Sequence, residues 1–121
     1  MIAAARGARA VAYAPYSRFK VGAALLAEDG RIFGGCNVEN ASSASSLCAE
    51  QAAVARAAGE GARRFRALLV LTASRRPTPP CGRCRQVLAE FAENLRIVMV
   101  TTGGRSEEAT LADLLPRPFR R

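Results

Sequence analysis

Apolar and polar positions change period several times along the chain, and each change marks an element. Residues 2–13 are Ala-rich with Arg6 and Arg9 spaced as on a helix, and Pro15 stops the pattern. Phe19, Val21, Ala23 and Leu25 then alternate, which predicts a strand with those four on one face. Asp29-Gly30 turns the chain, and a second strand from Arg31 to about Asn40 completes a hairpin. Its period of two separates Asn37 and Glu39 from Cys36 and Val38, so two polar side chains near a strand end are placed to touch a ligand.

Residues 41–46 are almost all Ser and Ala, a loop in which Ser46 is expected to cap a helix from Leu47 to about Ala58, closed by Gly59. Cys48 then lies in a first helical turn, where free amides and the macrodipole favour a thiolate. Arg66 to Thr72 reads as a buried strand, and residues 73–80 as a Pro-rich loop feeding a helix through Pro79-Pro80. Cys81, Cys84, Leu88 and Phe91 share one stripe of that helix. A strand over Arg96 to Thr102, a Gly103-Gly104 turn and a short helix over Leu111 to Leu115 finish the pattern. At 121 residues this predicts one α/β layered domain spanning 1–121, with an antiparallel hairpin and later strands joined through helices.

The net charge of +8 raises the question of nucleic acid, but 17 of the 18 basic residues are Arg scattered from Arg6 to Arg121. No run interleaves bases with aromatic side chains, so a nucleic-acid partner is not expected. Arg6 and Arg9 interrupt the early apolar stretch, and no segment is long enough to span a bilayer. Four cysteines without a secretory leader predict a reduced, cytoplasmic protein. Histidine is absent, which excludes Ser-His and Cys-His nucleophile pairs and imidazole metal ligands. Acid and base work near neutral pH is left to a carboxylate, a thiol or metal-bound water.

The chemistry concentrates in Leu47-Cys48-Ala49-Glu50 and Pro79-Pro80-Cys81-Gly82-Arg83-Cys84-Arg85-Gln86. Cys81 and Cys84 have metal-ligand spacing, and Cys48 makes the set tridentate, which suits zinc with one position open for catalysis. Cys48 and Glu50, two apart, face one ion together only if their helix meets it end-on. A closed four-cysteine structural site that adds Cys36 is the alternative, and it leaves no task for Glu50.

With these segments in place the chain resembles the small zinc-dependent cytidine deaminases. The likeness runs through Ala12-Tyr13-Ala14-Pro15-Tyr16-Ser17, Phe19-Lys20-Val21-Gly22-Ala23-Ala24, Asn37-Val38-Glu39-Asn40-Ala41-Ser42, Cys48-Ala49-Glu50, Pro80-Cys81-Gly82-Arg83-Cys84-Arg85-Gln86 and Leu114-Leu115-Pro116. It implies a three-layer α/β/α fold around a mixed sheet of about five strands. It also implies hydrolytic deamination of cytidine or deoxycytidine to the uridine and ammonia, a step of pyrimidine salvage. Zinc would be held by Cys48, Cys81 and Cys84, with Glu50 as proton shuttle. Asn37 and Glu39 would bond the ribose, Phe19 would pack on the pyrimidine, and Ala49 would complete the substrate contacts. The resemblance implies a homotetramer whose neighbours contribute the tail around Phe119 and the loop Ala41 to Ser43.

Two positions depart from the family pattern. Gln51 stands where relatives carry Arg, and Ser43 where they carry Tyr. Zinc with three thiolates is net −1, so charge must be drawn off the sulfurs by two helix N-termini and by Arg83 or Arg85. The run Pro80 to Leu88 is also similar to blasticidin S deaminases, which makes another cytosine nucleoside the alternative substrate. A catalytically idle, zinc-stabilised domain is the alternative that Gln51 suggests.

Overall fold

The computed structural model describes residues 1–121 and runs α1 (Ile2–Ala10), β1 (Gly22–Ala27), β2 (Ile32–Cys36), α2 (Ala49–Gly59), β3 (Phe65–Thr72), α3 (Gly82–Ala89), β4 (Arg96–Thr101), β5 (Ser106–Thr110) and α4 (Leu111–Leu114). The strands form one mixed sheet in the order β2-β1-β3-β4-β5. β1 pairs antiparallel with both β2 and β3, while α3 carries the chain across to make β4 parallel to β3. β5 returns antiparallel along β4.

Three layers follow from how the apolar residues divide. Leu68, Val70, Ile97 and Met99 join the larger core, which includes Ala49, Ala53 and Val54 of α2 and Leu88 of α3. Leu69, Leu71 and Val100 lie in a second cluster with Ala5 of α1. Because β3 is covered on both faces, it reads as a continuous apolar run rather than an alternating one. A Cβ at Gly22 would stand 2.0 Å from the Ala5 carbonyl oxygen, so α1 lies against the sheet at a distance only glycine permits.

The boundaries differ from the sequence expectation where side chains and bridges take over from regular ladders. β1 begins only at Gly22, so Phe19, expected within the strand, lies in the loop before it. That loop is shaped by Asn37 and Glu39, which bond its backbone. β2 ends at Cys36, and the chain continues as single bridges of Val38 with Tyr13 and Leu47. Helix α2 starts at Ala49 with Cys48 as its N-cap. The Ser46 hydroxyl, expected to cap it, accepts the Asn40 N–H instead. Gly59 is still helical, and the left-handed residue after the helix is Gly61, with φ of 90°. β5, absent from the residue pattern, is a polar edge strand whose Glu107 and Glu108 are exposed. No helix is long and apolar enough to cross a membrane.

Candidate active site

Two helix starts meet at one point. Cys48 is the N-cap of α2, Cys81 is the N-cap of α3, and Cys84 sits in the first turn of α3. The sulfurs of all three lie within 4.8 Å of one another, and Cys81 Sγ is 3.4 Å from Cys84 Sγ. Two sulfurs on one tetrahedral zinc, each bonded at about 2.3 Å, stand about 3.8 Å apart. The thiols therefore need only small side-chain adjustments to hold one ion. An all-sulfur set is soft and suits zinc rather than a hard cation such as magnesium. Cys36, half-buried at the end of β2, is outside the cluster. The cluster offers three thiols, and α2 meets it end-on.

The protonation of the three thiols shows why a cation belongs there. Burial pushes Cys84 far above the ordinary thiol range, with the charges of Glu50 and Cys48 adding to it. Cys48 is raised by burial, and the neighbouring Cys81 and Glu50 charges reinforce the shift. Burial also acts on Cys81, yet amides of Cys84 and Arg83 and bonds from the other two thiols bring it below its usual value. So many anionic groups this close cannot all ionise alone, and a divalent ion removes the conflict.

Glu50 occupies the second position of α2 and is 6% exposed. Burial raises its pKa, with its own backbone amide pulling weakly the other way. A buried carboxyl shifted toward neutral pH is suited to taking and returning protons.

Beside the thiols opens a cavity of about 400 Å³, within the size range of small-molecule sites, roughly 300–1,000 Å³. Phe19, Asn37, Glu39, Cys48, Ala49, Glu50 and Cys81 all line it, so the sequence-derived site residues converge except Cys84, which is buried behind. Ala49 contributes from the first helical position, where its N–H lies outside the helical ladder. A larger cleft of about 570 Å³ lies elsewhere, between Arg63, Arg64, Glu90 and Glu93. It holds no thiol and no buried acid, so chemistry rather than volume identifies the site.

Asn37 and Glu39 have a task that the sequence pattern does not reveal. Asn37 accepts the Val21 N–H at 2.8 Å and donates to the Phe19 carbonyl at 2.8 Å. Glu39 accepts from the Tyr16 and Ser17 amides at 2.9 and 3.0 Å and from the Ser17 hydroxyl. These bonds, led by the Ser17 hydroxyl, hold the Glu39 carboxyl below its ordinary pKa. Both side chains thus organise the wall that carries Phe19, which is 40% exposed. Ser17, Ser46, Thr78 and Pro79 also line the cavity, and no spacing rule singles them out.

Of the two arginines considered for charge relief, Arg85 is taken up by backbone carbonyls. Its Nε bonds the Pro80 carbonyl at 2.7 Å and its Nη1 the Leu114 carbonyl at 2.8 Å.

Comparison with known proteins agrees with this geometry. The sequence profile of the cytidine and deoxycytidylate deaminase zinc-binding region matches residues 1–101. The cytidine deaminase of Sporosarcina psychrophila is 48% identical over 120 residues, 98% of this chain and 88% of that protein. That of Mycobacterium tuberculosis is 46% identical over 112 residues, 93% of this chain and 81% of that protein. A crystal structure of cytidine deaminase from Burkholderia pseudomallei superposes with a TM-score of 0.93 at 46% identity, covering 98% of this chain and 95% of that one.

Proposed function

The chain belongs to the cytidine and deoxycytidylate deaminase family, and on that premise we propose that it hydrolyses cytidine or deoxycytidine to the corresponding uridine and ammonia. The observation that carries this reading is a cluster of three thiols beside a buried carboxyl at one cavity, with Cys48, Cys81 and Glu50 on its wall and Cys84 behind it. Cys48, Cys81 and Cys84 hold zinc, which when bound supplies the Lewis acid that makes water nucleophilic near neutral pH.

The remaining steps belong to the chain's own groups. Glu50 takes a proton from the attacking water and delivers it to N3 of the pyrimidine, so that C4 accepts the oxygen. It then moves the second proton from that oxygen to the amine, and C4–N4 cleaves to give the oxo product and ammonia. Phe19 packs on the base, and Ala49 offers its first-turn N–H to the pyrimidine edge. Asn37 and Glu39 lie where the ribose enters and keep their lone pairs and protons in a fixed arrangement through the loop bonds. Burial of Glu50 excludes bulk water from the proton path.

The working form is a homotetramer with sites shared between subunits. Its support is a set of exposed large side chains, with Tyr13 at 56%, Tyr16 at 62% and Leu47, which lines the cavity, at 39% exposure. Phe119, at 72%, stands on a tail tied to α3 through both polar atoms of Gln86.

The deciding experiment follows cytidine absorbance and ammonia release with zinc-loaded protein beside a zinc-matched Glu50→Gln variant. Turnover by the first and its loss in the second, about 100- to 10,000-fold for a positioned acid/base, are expected. Undiminished turnover in the variant would remove Glu50 from the mechanism, and none in either would overturn the assigned reaction.

A further inference from the structure

Arg83 sits between two of the metal thiols in sequence, yet its side chain crosses to the helix that carries the third. The protons of its Nη2 go to the Ser46 carbonyl at 3.0 Å and to Gln51 Oε1 at 3.2 Å. The same Gln51 oxygen accepts the Cys48 backbone N–H at 3.1 Å. One oxygen therefore joins the backbone of Cys48 to a side chain flanked by Cys81 and Cys84. Ser46 lies two residues before Cys48 and Gln51 three after it, so the guanidinium grips this ligand's segment on both sides. Apart from the thiols, no other side-chain hydrogen bond joins residues 46–51 to α3.

We propose that Arg83 is a positioning residue of the metal centre. Working through Gln51 and the Ser46 carbonyl, it holds Cys48 in register with Cys81 and Cys84. The proposal rests on the reading of these cysteines as zinc ligands but does not depend on which nucleoside is the substrate.

Three physical points support it. First, Cys48 approaches from a different helix than the other two ligands, so the relative position of the helix starts sets the sulfur triangle. Second, Gln51 is uncharged, so its oxygen can accept from an amide and a cation together but contributes no charge of its own. Third, a planar guanidinium fixes two acceptors at once, whereas an ammonium serves as a point charge on a flexible stem. Lysine would keep the charge and loosen the geometry.

The test measures zinc affinity by competition with a chromophoric chelator for wild type, Arg83→Ala, Arg83→Lys, Gln51→Ala and the Arg83→Ala/Gln51→Ala pair. Cobalt-loaded samples report the thiolate charge-transfer bands. Loss of a partner that orients a metal ligand typically weakens binding about 10- to 100-fold, and that is the expected effect of Arg83→Ala. Arg83→Lys should recover part of it. The double variant should be little worse than either single one, because both remove the same connection. Changed cobalt bands in Arg83→Ala would register an altered sulfur triangle. Wild-type zinc affinity and unchanged bands in Arg83→Ala would overturn the proposal, as would full additivity of the two substitutions. If wild type binds zinc but leaves cytidine untouched, the assigned reaction fails while the affinity series still decides the role of Arg83. Absence of zinc binding in wild type would sink both.

Discussion

Gly35 of β2 lies directly beneath Ala49 at the start of α2: a Cβ at position 35 would stand 2.4 Å from the Ala49 carbonyl oxygen and 2.4 Å from the Ala53 nitrogen. Both obstacles are backbone, so no side chain can swing aside. The contact fixes how closely the first turn of α2, which carries Glu50 and follows Cys48, approaches the sheet.

Gly35→Ala must therefore lift the start of α2. The expected destabilisation is that of overpacking, about 1–3 kcal/mol, read from denaturant unfolding of the zinc-loaded protein. Because the lift displaces Cys48 relative to α3, zinc affinity should fall as well. Gly7→Ala, at a helix position with open space around it, is the control and should be neutral or slightly stabilising. Equal behaviour of the two variants would contradict the close-approach argument.

Removal of zinc by a chelator should lower the unfolding temperature, because Cys48, Cys81 and Cys84 tie the starts of α2 and α3 to one ion. Cys48→Ser, Cys81→Ser and Cys84→Ser should each abolish stoichiometric zinc. Cys36→Ser should keep it, since Cys36 stands apart from the cluster. Loss of zinc in Cys36→Ser, with the fold intact by circular dichroism, would restore the closed four-cysteine reading.

Much of this was legible in the residues because it depends on local chemistry. Cys81 and Cys84 have metal-ligand spacing, and Pro79-Pro80 announces a helix start. The runs at 67–71 and 97–100 are short and apolar, the pattern of buried strands. What could not be read are features decided by distant partners. Phe19 alternates correctly with Val21 and Ala23, yet it leaves the sheet because Asn37 and Glu39, from another element, hydrogen-bond the backbone around it. Ser46 has the right chemistry for a cap, but Asn40 claims its hydroxyl and Cys48 takes the position. β5 has no apolar alternation because it is an edge, and its pairing with β4 is visible only in three dimensions.

Glu39 makes a pH dependence with a definite sign. Its folded-state pKa lies below its ordinary value of 4.5, first through the Ser17 hydroxyl and then through the Ser17 and Tyr16 amides. A depressed carboxyl pKa contributes stability that is fully present above the unfolded value and is lost as pH falls through the folded one. Wild type should therefore exceed Glu39→Gln in unfolding temperature at pH 7, with the gap closing below about pH 4.5 as both forms become uncharged. A gap that persists unchanged into strong acid would show that shape, not charge, makes Glu39 matter.

Arg18 is the one non-glycine residue with a positive φ, at 58°. Left-handed backbone costs an ordinary residue roughly 1–2 kcal/mol, and here the cost is offset by neighbours on both sides. Its own N–H reaches the Ala14 carbonyl at 2.9 Å, while Ser17 is held by Glu39 and the Phe19 carbonyl by Asn37. The turn at Arg18 is what swings Phe19 out of line with β1 and onto the cavity wall. Arg18→Gly removes the strain but adds freedom to the unfolded chain, so the two effects nearly cancel and stability should change little. Arg18→Val places a branched side chain where φ is positive, which the backbone tolerates poorly. It should be less stable than wild type, because branching adds to the left-handed cost Arg18 already carries, and it should raise the KM for cytidine more than it lowers kcat, because Phe19 shifts while the zinc thiols and Glu50 stay. If Arg18→Val instead lowered kcat alone, the turn would act on the reacting centre and not on the binding wall.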